Sequence, residues 1–261
     1  MNDILNLENN KIIGEYILDN SKIEFKGENN ILYLNGNITF KDSIIRFTGN
    51  NSIIFIDENK YPIIINARVS YDSVLYIGKK VFINKGIDIY ATERKNIIIG
   101  NECMLSYKST FRTTDPHLIF DSKTKNRINH ANSILIGDHV WIGQECLILK
   151  NTKIYSGSVI GGHSVLSNKE VLSNTLWAGN PAKKIKQDIF FTRHSAHDFT
   201  EDDIGKYDKY ESDDYIFENY DCDNLNTIDE QLLVEKNVKN KIDIIMDKIS
   251  NNENKNRFAK K

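Results

Sequence analysis

Residues Ser133 to Leu166 read SILIGDHVWIGQECLILKNTKIYSGSVIGGHSVL, and one apolar position in this stretch returns without a slip. Ile136, Ile142, Ile148, Ile154, Ile160 and Leu166 lie six residues apart. Two residues ahead of them sit Ile134, Val140, Cys146, Thr152, Ser158 and Ser164, mostly small or β-branched. A helix repeats every 3.6 residues and an isolated strand every two, so neither produces a period of six. A solenoid with short flat faces and tight corners does, each unit sending one aliphatic inward. Glycine follows the aliphatic at Gly137, Gly143 and Gly161, where this reading expects corners with backbone angles that other residues resist.

Towards the N-terminus the rhythm loosens but persists. YLNG, FIDE, YIGK and IIGN end their aliphatic runs at Leu34, Ile56, Ile77 and Ile99, which are 22, 21 and 22 residues apart. Larger coils stacked beneath the regular ones fit this spacing better than a separate β domain over residues 1 to about 70, because each coil buries its aliphatics against its neighbours. The stretch 110–132 breaks the rhythm and carries Asp115, Pro116, His117, Asp121, Arg127 and His130. A long excursion from a regular scaffold is a common seat of function. The expected division is 1–95 for the larger coils, 96–187 for the regular coils with the loop 110–132, and 188–261 for a tail.

The tail differs in kind. Asp198, Glu201, Asp202, Asp203, Asp208, Glu211, Asp213, Asp214, Glu218, Asp221 and Asp223 face only Lys206 and Lys209, so this part should be extended or weakly ordered, with its tyrosines and Phe217 docking in places. Thr227 and Glu230 then form a capping-box pattern, and Ile228, Leu232, Val238, Ile242, Ile245 and Ile249 follow at helical spacing. An amphipathic helix that packs on the protein's own assembly is expected.

The bulk numbers narrow the function. With 34 basic and 36 acidic residues among 261, the net charge of -2 gives no support for nucleic-acid binding. Cys103, Cys146 and Cys222 lie far apart and form no disulfide framework, which fits a reducing cytoplasm. The N-terminal MNDILNLENNKII has neither the basic start nor the apolar run of a leader or a membrane span. Abundant Ile, Asn and Lys suit a long β array, and equally an AT-rich genome.

The stretch from about Asn96 to Lys186, with GDHVWIG and the closing WAGNPAKKIK, resembles the hexapeptide-repeat acyltransferases. The resemblance implies an all-β solenoid, a left-handed parallel β-helix of three hexapeptides per coil, with a mostly helical or irregular C-terminal tail. It also implies acetyl-CoA as co-substrate and a homotrimer with active sites between subunits, the loop reaching towards a neighbour. RTTDPHLIFD resembles the segment in which the O-acetyltransferases carry their general base, which makes His117 that residue here, with Asp115 as a candidate orienter. Activating an alcohol needs such a base, and histidine, with a reference pKa of about 6.5, suits it. Trp141 matches the tryptophan beside the thioester end of the cofactor, and it is too bulky for the inside of a narrow solenoid. By the same resemblance a backbone N–H near Gly143, or Gln144, serves the oxyanion. Gly161 and Gly162 admit the pantetheine arm, Ser167 offers a hydroxyl, and Lys183 and Lys186, or Lys184 in place of one, meet the phosphates. Asn168 stands where many members carry lysine, which puts one phosphate contact in doubt.

Asp88 falls where related sugar acetyltransferases hold the acceptor, or is a solvated corner residue. Tyr107, Lys108 and Arg112 could meet an anionic sugar. No metal is expected: His117, His130, His139 and His163 do not match the three-histidine carbonic anhydrases of this fold, and His139 and His163 read as corner residues. The nearest resemblance is to capsule and lipooligosaccharide O-acetyltransferases, including those that act on polysialic acid. The implied function is acetyl transfer to a sugar hydroxyl of a bacterial surface glycan or its precursor. An N-acetyltransferase of amino sugar nucleotides and a non-enzymatic scaffold are the alternatives. Cys146, at an inward position, is not placed to form an acyl-enzyme.

Overall fold

The computed structural model describes residues 4–5, 7, 9–219 and 224–261. Cys222, Asp221 and Asp223, singled out above, lie outside the described residues, as do 1–3 of the N-terminal stretch.

The six-residue period becomes a parallel β-solenoid with three faces. The first face runs through eight strands, from Ile4–Leu5 and Lys22–Phe25 to Leu147–Leu149 and Val165–Leu166. The second also has eight, from Lys11–Asp19 to Thr152–Ile154 and Glu170–Val171. The third has six: Phe82–Ile83, Met104–Leu105, Trp141–Ile142, Val159–Ile160, Leu176–Gly179 and Ala182–Lys186. The last of these runs antiparallel and closes the stack as a hairpin.

Three units make one coil. Ile136 pairs with Ile154 on the second face, Ile142 with Ile160 on the third, and Ile148 with Leu166 on the first. All six are fully buried, and each contributes roughly 2 kcal/mol by leaving water. The larger coils join the same stack, for Leu34, Ile56, Ile77, Ile99 and Ile136 follow one another in register on the second face.

The corners work differently from the expectation. Gly137, Gly143 and Gly161 do not adopt the left-handed conformation; His139, Glu145 and His163, each two places further on, do, as do Asn151 and Gly157 at the same place in the units between. The glycines are needed for space instead. A Cβ on Gly143 would lie 2.5 Å from the Gly162 nitrogen, and one on Gly137 would lie 2.8 Å from the Ser156 nitrogen. Asparagine is the side chain that best tolerates the left-handed region. It fills many corners here: Asn29 bonds Asn51 at 2.7 Å across coils, and Asn151 bonds Asn168. The abundant asparagine therefore has a structural use.

The excursion is shorter at its start than expected. Thr110–Arg112 is still a regular strand of the first face, in register with Asp88–Tyr90 and Leu147–Leu149, because Phe111 remains an inward, fully buried residue. The departing chain is 113–133, at the corner between the first and second faces. It forms a hairpin-like arm, with Ile128 N donating to Ile119 O at 2.9 Å and Asp121 N to Asn126 O at 2.9 Å.

The C-terminal segment covers the second face from outside. α1 (Asn224–Val234), α2 (Val238–Ile245) and a π-helical turn (Met246–Ser250) lay their apolar side on Phe55, Tyr76, Ile98 and Leu135. Ile228, Leu232, Val238, Ile242, Ile245 and Ile249 are all buried. The expected capping box is not the start of this helix: Thr227 and Glu230 already lie inside α1. The cap that forms is Asn237, whose side chain accepts from Lys239 N and Asn240 N and divides the segment in two. Arg257 pins the end of the chain, pairing twice with Asp138 at 2.8 Å and donating to Ile249 O and Asn252 O.

The acidic stretch is partly ordered. Its two short 3-10 turns are Ala196–Asp198 and Glu201–Asp203. Phe217 is buried, and Tyr215 stacks on His139 at 4.2 Å. His139 is held on its other side by Phe191 at 4.1 Å, and its Nε2 bonds Phe191 O at 3.0 Å, so burial lowers its pKa. Among the described residues no helix is long and apolar enough to cross a membrane. Among the described residues no three His, Cys, Asp or Glu side chains gather as a metal group would need.

Candidate active site

Strand alternation sorts the singled-out residues by face. On the third face Ile83, Leu105, Ile142 and Ile160 point inward, so Phe82, Met104, Trp141, Val159 and Leu176 form the outward column. Trp141 is 39% exposed, and its Nε1 donates to Ser106 Oγ at 3.5 Å.

The closing hairpin extends this column. Ala178 pairs with Lys183 and Trp177 with Lys184, but Leu176 pairs with Lys186 because the register slips by one at Ile185. Cross-strand partners share a side, so the bulge turns Lys183 and Lys186 to the outward side together. Lys184 shares the side of Trp177, which packs on the core. Gly161 lies next in this track, where a Cβ would stand 3.0 Å from that of Ala178. Gly162 and buried Gly143 follow at the corner with the first face. The Gly143 N–H is taken up by Ile160 O at 2.8 Å. That of Gln144, the next residue, makes no hydrogen bond to the described residues.

Asp88, Tyr90 and Arg112 point outward from the first face. Asp88 Oδ1 accepts from Asn66 Nδ2 at 2.7 Å and from the Tyr90 hydroxyl at 3.1 Å, so it is a held carboxylate rather than a solvated corner. Asn66 and Tyr90 escaped the sequence reading because a single outward position in a strand carries no pattern. The guanidinium of Arg112 lies 5.1 Å from the Tyr90 ring centre, and its Nε is buried without a partner. Tyr107 sits at the corner between the third and first faces, with Lys108 above its ring at 5.9 Å. Ser167 is exposed just past the last strand of the first face, away from the outward column of Trp141.

The arm carries His117, which is exposed. Asn129 braces its base: Nδ2 donates to His117 O at 2.8 Å and to Asp115 Oδ2 at 3.0 Å, while Oδ1 accepts from Ile119 N at 2.8 Å. The Asp115 carboxylate is also gripped by Lys150 Nζ at 2.5 Å, a bond that holds its pKa below the usual range. Arg127 ties the arm to Glu93 at 2.9 and 3.0 Å. Leu118, Ile119, Phe120 and Ile128 stay 50–61% exposed on it.

In a three-sided prism a corner stands opposite the third side. The arm leaves the corner between the first and second faces, and Trp141 sits on the third. One chain therefore holds the arm and the tryptophan on opposite flanks. Cys146 packs inside, its thiol donating to Gly161 O at 3.2 Å, and burial raises its pKa, which is the reverse of what a nucleophilic thiolate needs.

A solenoid with a stacked aliphatic interior, whose outward chemistry gathers on two faces and one arm, has the build of a solenoid acyltransferase. No protein-family model matches the chain. It is 35% identical over 177 residues to the polysialic acid O-acetyltransferase of Neisseria meningitidis, covering 68% of this chain and 82% of that protein. It is 34% identical over 143 residues to the polysialic acid O-acetyltransferase of Escherichia coli O1:K1 / APEC, covering 53% of this chain but only 46% of that longer relative. Among solved structures, the polysialic-acid-specific acetyltransferase NeuO matches with a TM-score of 0.66 and 30% identity over 75% of this chain and 89% of its own. The polysialic acid O-acetyltransferase OatWY matches with a TM-score of 0.65 and 30% identity over 77% and 95%. The chain belongs to the family of hexapeptide-repeat acyltransferases that includes the polysialic acid O-acetyltransferases. It is an acyltransferase.

Proposed function

We propose that the chain transfers the acetyl group of acetyl-CoA to a sugar hydroxyl of an anionic bacterial surface glycan of the sialic acid type, or its precursor, with His117 as general base. The observation that carries this reading is the alignment of Trp141, the bare Gly161 backbone and the lysine pair 183/186 on one outward track. A long cofactor with phosphates at one end and a thioester at the other fits that order. Lys183 and Lys186 meet the phosphates. The glycine backbone admits the pantetheine arm, and Trp141 walls the thioester. Acetyl-CoA supplies the acetyl group in activated form.

His117 takes the proton from the acceptor hydroxyl as its oxygen attacks, and returns a proton to the departing sulfur. The Gln144 N–H is the donor available where negative charge develops on the carbonyl oxygen. Asp115 and Asn129 are positioning residues that fix the segment bearing His117. Asp88, Tyr107 and Arg112 face the acceptor. Because one chain keeps His117 and Trp141 on opposite flanks, the complete site is assembled from the arm of one copy and the third face of the next. A closed trimer, with the apolar arm residues covered, satisfies this.

The test is thiol release from acetyl-CoA with a panel of sialylated and neutral glycans. Release that depends on the anionic glycan, and falls at least about a hundredfold in His117→Ala, is expected. Release that depends on amino sugar nucleotides instead would overturn the reading.

A further inference from the structure

The outward column of the third face does not stop at Trp141. It continues in register to Met104 and then Phe82, and Tyr61 meets Phe82 edge-on at 5.2 Å. This continuation is not a bare surface. After the closing hairpin the chain returns alongside it as Thr192–Asp198, anchored by Arg193, which donates to Lys80 O at 2.6 Å, and by the stacking of Phe191 on His139. Between this wall and the strands lies a groove of about 690 Å³.

Resting on the acetyl-transfer reading, we infer that this groove is an acceptor subsite that seats a carboxylate-bearing pyranose, with Arg193 as the specificity-determining cation. Direction is the first argument. Lys183 and Lys186 lie on the C-terminal side of Trp141, one strand beyond Leu176, three strand steps or roughly 14 Å away. The donor therefore reaches Trp141 from that side, and an attacking oxygen must come from the other, where the groove opens.

Composition is the second argument. A pyranose has an apolar C–H face and a rim of hydroxyls. The groove has an apolar floor of Phe82, Met104 and Trp141, and a polar rim that includes Asn84 and Ser106.

Charge is the third argument. Arg193 gives one N–H to a backbone carbonyl and makes no ion pair among the described residues, so its charge is left for a ligand carboxylate. Asp198, on the same wall, accepts from sugar hydroxyls.

The test uses the full chain with Trp177→Phe, which leaves Trp141, on the groove wall, as the single tryptophan. A sialic acid tetramer, tetragalacturonate and neutral maltotetraose are titrated without acetyl-CoA while its emission is followed. A saturable change with an anionic sugar and none with the neutral one is expected. Losing the charge-assisted contact in Arg193→Gln should weaken that binding by roughly tenfold or more. Phe82→Leu should weaken it severalfold, and if it fails to fold on melting, the surface variant Arg193→Gln carries the test alone. No saturable change with either anionic sugar, or an affinity that Arg193→Gln leaves within twofold, overturns the inference. Thiol release is measured in parallel. Binding that depends on Arg193, without release, sinks the transferase reading and keeps the groove. Release with an affinity indifferent to Arg193 does the reverse.

Discussion

If the complete site needs the arm of one copy and the third face of another, two inactive proteins should make an active one. His117→Ala removes the base but keeps the tryptophan; Trp141→Ala does the opposite. Each is close to inactive alone. Mixed in equal amounts, unfolded and refolded together, they form rings in which every site draws one arm and one face at random. A site is intact only when its arm comes from the Trp141→Ala chain and its face from the His117→Ala chain, so about a quarter of the sites are restored whatever the ring size. Thiol release should return to about 25% of the wild-type rate, against a background near one hundredth for the histidine variant. The figure follows from the prism geometry: the corner that bears the arm stands opposite the face that bears Trp141. If the mixture only averages the two variants, the site lies within one chain and the argument is wrong.

Lys183→Ala with Lys186→Ala should raise the KM for acetyl-CoA roughly five- to tenfold with kcat little changed, since each exposed charge contact is worth about 1 kcal/mol or less. Lys184→Ala, on the opposite side of the hairpin, should leave that KM alone; an equal effect would refute the bulge argument. Arg257→Met leaves the Asp138 carboxylate buried and unpaired, so urea unfolding should show a loss of about 3–5 kcal/mol. A loss under about 1 kcal/mol would mean that the pin contributes little. Lys241 is 1% exposed and donates to Asp72 O at 2.6 Å, and burial lowers its pKa to about 8. Its folded value lies below its unfolded one, so its buried charge costs stability below pH 8, and that cost fades as pH rises from 8 towards 10.5. Lys241→Met should therefore stabilise by about 1–2 kcal/mol at pH 7, with the gain gone by pH 10. A lower Tm than wild type at pH 7 would contradict this.

How much of this was legible follows from what leaves a periodic trace. The aliphatics Ile136 to Leu166 did, because one inward residue per unit is a demand the backbone makes every six places. So did the stacking of the larger coils, through Leu34, Ile56, Ile77 and Ile99. Trp141 could be placed outward on volume alone. The glycines misled, since crowding between coils and left-handed corners both select for small or permissive residues, and only coordinates separate the two demands. The bulge at Ile185 was illegible, because a strict alternation sends Lys183 and Lys186 to opposite sides and a one-residue slip reverses that. The wall 192–198 had no period at all, and its only sequence mark is the pair Phe190 and Phe191 after the hairpin. The start of α1 was misjudged because Thr227 and Glu230 satisfy the capping pattern equally well from inside a helix.

The arm shows how such a chain can grow. From Ile99 to Ile136 is 37 residues, where the next coil, Ile136 to Ile154, takes 18, yet both pairs sit in the same register on the second face. The surplus leaves at a corner and returns to it, so the neighbouring coils do not notice its length, and closing a longer loop costs only about 0.6 kcal/mol per doubling. Corners are thus the places where insertions of any size are tolerated, while on the flats a change in count has to be absorbed by a bulge, as between Ile13 and Glu15 and at Ile185. A lineage built on this plan can lengthen, trim or exchange its arms freely, and so alter what it grips, without redesigning the rod that carries them.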